Sequence, residues 1–157
     1  MRQLLMTTVG LLLASPLLLS PVAQAQNPAQ IKQLLETNAC KGCDLQGADL
    51  RGAHLIGADL RNANLKNANL TEANLEGADL TGANLQNAQL RGAMVTNASL
   101  NYSNLQKADF AYAKLYDVDV TGANLEGINI QNAEIYNTGI AIGGGDEVWD
   151  KDTDLLP

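Results

Sequence analysis

Residues 43–80 read CDLQGADLRGAHLIGADLRNANLKNANLTEANLEGADL. Every fifth residue from Leu45 is a leucine: Leu50, Leu55, Leu60, Leu65, Leu70, Leu75 and Leu80. The phase continues without a slip through Leu85, Leu90, Val95, Leu100, Leu105, Phe110, Leu115, Val120, Leu125, Ile130, Ile135 and Ile140, twenty apolar positions in all. Two residues before each stands an alanine, except at Cys43, Ser103, Val118, Ile128 and Thr138. Between the two lies a polar residue, most often Asp or Asn, and Gly or Asn is frequent two residues after the leucine.

Neither common period fits this pattern. An amphipathic helix repeats its apolar residues about every 3.6 positions and a half-buried strand every 2. A period of five with two inward positions, two apart, describes a very short strand followed by a turn. The Gly/Asn position agrees, because both residues tolerate tight turns and positive φ. One unit is too small to bury its own leucine. Successive turns must therefore coil and stack around a continuous Leu/Ala column.

The runs Ala48-Asp49-Leu50, Ala63-Asn64-Leu65, Ala68-Asn69-Leu70 and Ala78-Asp79-Leu80 resemble the pentapeptide-repeat family, whose unit is A-(D/N)-L-x-x. The resemblance covers residues 43–142. It implies an all-β solenoid: a right-handed, four-sided β-helix with four pentapeptides per coil and about five coils. Residues twenty apart should then stack, so that Asp44, Asn64, Asn84, Asn104 and Asn124 form one outer ladder. Leu50, Leu70, Leu90, Phe110 and Ile130 should form one inner column.

The composition agrees with a repetitive core. Hydrophobic residues make up 46% of the 157 residues but aromatics only 4%, so large ring fillers give way to leucine and alanine. Ten Lys and Arg against seventeen Asp and Glu, a net charge of −7, argue against a nucleic-acid binder. One His and two Cys do not make a closed Cys/His zinc site, and no cofactor is implied.

Residues 1–25 read as a secretory signal. Arg2 gives a positive start, Leu4 to Leu19 an apolar stretch, and Ala23-Gln24-Ala25 a small-x-small cleavage pattern. The apolar stretch is shorter than the roughly 20 residues needed to cross a bilayer, so no stable membrane anchor is expected after cleavage. The chain is expected to be exported to a periplasm or a thylakoid lumen. The expected divisions are 1–25 signal, 26–39 N-terminal capping helix, 40–142 repeats and 143–157 acidic tail or cap. Asn27-Pro28 supplies a helix N-cap and an N1 proline, with the helix over 28–37. Trp149 and Leu155-Leu156 in the last segment are candidates to fold back over the final coil. The lead-in through Cys40-Lys41-Gly42-Cys43-Asp44-Leu45 is similar to that of cyanobacterial and thylakoid-lumen pentapeptide proteins.

Cys40 and Cys43 are the sharpest chemical feature. An exported location favours oxidation, so the pair is a candidate for a local disulfide that locks the first turn, or for a redox-sensitive dithiol. A thioredoxin-like role needs an exposed thiolate at a helix N-terminus in a βαβ setting, which the sequence lacks. His54 takes an outward Asp/Asn slot and has no triad partner. Asp59 and Asp79 are twenty apart and present carboxylates that suit a hard cation, although acids are common at that repeat position. Met94, Tyr112, Tyr116 and Tyr136 depart from the repeat. Tyr116 and Tyr136 are twenty apart, and the four are candidates for a protein-binding patch or for stacking that staples the last coils.

The expected function is a non-catalytic structural or protein-interaction module with an unidentified protein partner, homodimer formation being open. One alternative is a DNA mimic that protects a topoisomerase, as in the quinolone-resistance proteins of the family. Against it, half the charge left after signal removal lies in residues 146–154. The other alternative is a redox-responsive lumenal protein using Cys40 and Cys43. No catalytic constellation points to an enzyme.

Overall fold

The computed structural model describes residues 27–140. The expected signal over 1–25 and the tail or cap over 143–157 lie outside the described residues.

Helix α1 spans Pro28–Thr37. The side chain of Asn27 accepts the Gln30 N–H at 3.3 Å, satisfying one of the donors that a helix start leaves unpaired. The helix ends at Asn38, which takes a left-handed conformation and donates its N–H to the Leu34 carbonyl at 2.8 Å. Leu34 is fully buried in the core.

Beyond α1 one five-residue conformation repeats. The leucine packs inward and the second residue after it has positive φ, as at Gly52 (62°) and Asn62 (56°). The following alanine then donates its N–H back to the leucine carbonyl, as from Ala53 to Leu50 at 3.1 Å and from Ala63 to Leu60 at 3.0 Å. This hydrogen bond and the positive φ are those of a type II turn, which explains the preference for Gly and Asn. Tyr102, Lys107 and Tyr112 hold the same conformation at a backbone cost of roughly 1–2 kcal/mol each.

Turns of the chain pair in parallel with a register of twenty. Asp44 bridges Asn64, Asn64 bridges Asn84, Asn84 bridges Asn104, and Asn104 bridges Asn124. Four five-residue sides therefore make one coil. With two of every five residues spent on a turn, most sides pair through a single residue. The exceptions are β1 (Lys114–Tyr116) and β2 (Glu134–Tyr136), which pair over three residues. After both strands the small inward residue is replaced, by Val118 and Thr138. Among the described residues neither closes a turn back onto the leucine position. Ile128 keeps that bond at 3.2 Å, so branching at the β-carbon alone does not open a turn.

The core is a stack of leucines and alanines, with every fifth-residue side chain from Leu45 to Val120 buried. Phe110, the only phenylalanine, is the largest of these and stands in the column of Leu50, Leu70 and Leu90. Each buried aliphatic contributes roughly 1.5–3 kcal/mol before entropy costs. On the outside, Asn64 donates to the Asp44 carboxylate at 2.9 Å and Asn84 to the Asn64 carbonyl oxygen at 3.4 Å.

Two glycines with the same backbone separate strain from crowding. A Cβ at Gly52 (φ 62°) would meet nothing within 4 Å, whereas one at Gly122 (φ 70°) would lie 2.6 Å from Cδ1 of Tyr102. Gly52→Ala should therefore cost only the backbone term of about 1 kcal/mol. Gly122→Ala should cost measurably more in urea unfolding, and Tyr102→Ala should erase the difference in a double-mutant cycle. Equal costs without the tyrosine change would show that the ring does not rest on Gly122.

Candidate functional site

The register of twenty sorts the outward side chains that flank each leucine onto four sides, named here by their first leucine, and leaves the positive-φ residues at the corners. On the Leu45 side the residue before each leucine accepts the N–H of the residue after it. Asp44, Asn64, Asn84, Asn104 and Asn124 do so toward Gln46, Lys66, Gln86, Gln106 and Glu126 at 3.0–3.3 Å. The same bond is made from Asp49, Asn69, Asp109 and Asn129 on the Leu50 side. Asp59, Asp79 and Asp119 make it on the Leu60 side. These side chains spend their polarity on their own backbone.

The Leu55 side is different. Its two outward rows are His54, Asn74, Met94, Lys114, Glu134 and Ile56, Glu76, Thr96, Tyr116, Tyr136. Among the described residues only Asn74 makes the backbone bond there, to Glu76 at 3.0 Å. Ile56 is 53% exposed, Tyr136 49% and Met94 38%. Tyr116 pairs with Tyr136 in the β1–β2 register. Its hydroxyl donates to the Glu134 carboxylate, and that hydrogen bond raises the phenol pKa above its ordinary value. The outward side chains of this side leave apolar and aromatic surface in solvent.

The structure thus places Met94, Tyr116 and Tyr136 on one side. Tyr112 sits at the turn entering that side, under the Arg91 guanidinium, 5.3 Å from the ring centroid. Arg91 in turn donates to Asp109 at 3.1 Å. Ile56 and the exposed His54 share the Leu55 side, although nothing in the local sequence around either groups it with the tyrosines. Applying the register of twenty to every outward residue, rather than to the aromatics alone, brings them together. Tyr102, the most exposed large apolar residue among the described residues, lies at another corner, over Gly122.

Cys40 and Cys43 form a disulfide, and both are buried. The bond sits where α1 meets the first coil. The Cys40 sulfur lies 3.5 Å from the Gln30 carbonyl oxygen, the Gln30 side chain accepts the Asp44 N–H at 2.7 Å, and Gln33 donates to the Ala39 carbonyl at 2.7 Å. This is a structural junction without an exposed thiolate.

Asp59 and Asp79 stand on neighbouring coils, but Arg61 lies between them. Its guanidinium makes a two-pronged bond to Asp59, at 2.6 and 2.8 Å, and lies 3.6 Å from Asp79. The hydrogen bond from Arg61 lowers the Asp59 pKa to about 2. Arg61 thus supplies the positive charge that a cation would bring. Among the described residues no group of His, Cys, Asp and Glu could hold a metal ion. No helix of the described residues is long and apolar enough to cross a membrane.

The family model for pentapeptide repeats matches residues 40–71, 58–94 and 95–127. Among solved structures, a pentapeptide repeat protein from the Arabidopsis thaliana thylakoid lumen is 27% identical, over 68% of this chain and 71% of its own, with a TM-score of 0.47. A pentapeptide repeat protein from the cyanobacterium Cyanothece 51142 is 26% identical, over 71% of this chain and 97% of its own, also at 0.47. QnrB1, a plasmid-mediated fluoroquinolone resistance protein, is 19% identical over 67% of this chain and 76% of its own, at 0.44. The comparison with curated proteins gives no match.

Proposed function

This chain belongs to the pentapeptide-repeat family, whose fold is a right-handed, four-sided β-helix, and from that premise we propose that it is a non-catalytic docking module. The Leu55 side is the surface that receives a protein partner. One observation carries the reading. Of the four sides, this is the one whose outward residues mostly forgo bonds to their own backbone and instead expose Ile56, Met94 and Tyr136 beside Tyr116. Tyr and Met are enriched in protein interfaces, and a rigid repeat column holds them at fixed spacing. Twenty repeats at four per coil make five coils, a column about 24 Å long at the usual strand spacing.

The same reading takes residues 1–25 as a cleaved export signal and the mature protein as working in a periplasm or thylakoid lumen. The junction disulfide suits such a compartment. Residues 27–140 carry eight Lys and Arg against twelve Asp and Glu, a modest charge that lends no support to DNA mimicry.

The test is capture of the partner from the host extract by the immobilised protein, with a Tyr116→Ser/Tyr136→Ser variant beside it. Loss of aromatic anchors should weaken capture by about 10-fold or more with the melting temperature unchanged. Undiminished capture would sink the docking reading. A lowered melting point with capture retained would make the tyrosines a staple between coils.

A further inference from the structure

We propose that the chain's own last residues, 146–157, cover the C-terminal end of the column. Two features of that end require a cover. Three of the four fifth-residue side chains of the last coil, Leu125, Ile130 and Ile135, are only partly buried, Ile140 being the buried one, whereas Leu105, Phe110 and Leu115, one coil earlier, are buried. The backbone changes in step. The N–H groups of Leu105, Lys107, Phe110 and Tyr112 donate to the next coil at 2.7–3.0 Å. Among the described residues, the equivalent N–H groups of Leu125, Gly127, Ile130 and Asn132 have no acceptor. The end therefore offers apolar surface together with a set of free donors, the open edge that natural sheets cover or blunt. The N-terminal end has its cover already, with Leu34 of α1 buried in the core.

The occupant is argued from the chain that follows. Seventeen residues continue from Ile140, which lies in the last described coil. Fully extended they reach about 55 Å, many times the spacing of adjacent coils. Gly143-Gly144-Gly145 break the repeat, and the rest combines five acids and one lysine, Asp146, Glu147, Asp150, Lys151, Asp152 and Asp154, with the large apolar residues Val148, Trp149, Leu155 and Leu156. That composition complements the end. Apolar side chains shield the last inward residues, and carboxylates accept from the free N–H groups through charge-assisted bonds. A second copy joined end to end would cover the same surface and is the competing outcome.

Trp149 is the only tryptophan, so its fluorescence reports on this segment alone. In the native protein its emission should lie to the blue of the denatured chain, with acrylamide quenching reduced several-fold and sedimentation as a monomer. Ile128→Ser/Ile130→Ser should return both signals to the denatured values while the far-UV spectrum of the remaining coils persists. Leu155→Ser/Leu156→Ser, which leaves the column untouched, should loosen the shielding as well. Solvent-like native emission would overturn the proposal. So would a blue shift that appears only as dimers form, or one that both pairs of substitutions leave intact.

Discussion

Leu75→Asp is expected to abolish the cooperative melting of the column. Leu75 is fully buried, as are Leu55 and Val95 in the same inner row. Truncating such a leucine to alanine costs about 2–5 kcal/mol. A carboxylate adds the penalty of an unpaired polar group in an apolar interior, or of its protonation there. The sum is comparable to the entire stability of a small domain, about 5–15 kcal/mol. The topology makes this worse, because each coil touches only its neighbours. A fault in the middle leaves two short stacks, each with a newly opened end. Far-UV circular dichroism and thermal melting test it, with Glu76→Gln, on the outward position next door, expected to stay within about 0.5 kcal/mol of the parent. An unchanged melt for Leu75→Asp would refute the inward placement of the leucines.

The second large effect is expected at the other chemical feature. Cys40→Ser/Cys43→Ser removes the disulfide that closes the first turn of the coil, against which α1 packs. Closing so short a loop is worth about 2 kcal/mol in the chain-entropy account. Placing two hydroxyls where both sulfurs are buried adds about 1–3 kcal/mol for each one left unsatisfied. The loss should be local. Amide exchange should rise in α1 and around Asp44, where Gln30 and Gln33 hold the helix to the coil, and stay slow near Leu85. Cys40→Ala/Cys43→Ala should recover the part due to the hydroxyls and keep the closure loss. Identical stability of the oxidised parent and both variants would remove the disulfide from any structural role.

Much of this was legible in the residues because the repeat is so regular. The leucine phase and the Gly/Asn turn position pointed to stacked short turns, and Asn27-Pro28 marked the start of α1. The register of twenty came from the family resemblance, since a period of five alone does not fix the number of sides. The Asp59–Asp79 pairing was also legible as a stack. Its neutralisation by Arg61 was not, because the sequence does not say which way a long side chain will lean. Ile56 escaped grouping with the tyrosines for a similar reason. It lies sixty positions from Tyr116, and only folding the sequence into rows of twenty sets them in one line. The three-residue pairing of β1 and β2 depends on whether a turn closes, which Val118 and Ile128 decide differently despite similar shapes.

The parallel register of twenty has a consequence for how such a chain can change length. Removing one five-residue unit, such as 66–70, would leave the inward leucine pattern intact. It would also carry everything downstream a quarter-turn around the axis. Tyr116 and Tyr136 would keep their mutual stacking yet point away from Ile56. Only gains or losses of a whole circuit preserve the bearing of one end relative to the other. The column therefore acts like an indexed shaft, in which composition sets stability and the count of units sets the compass direction of each surface.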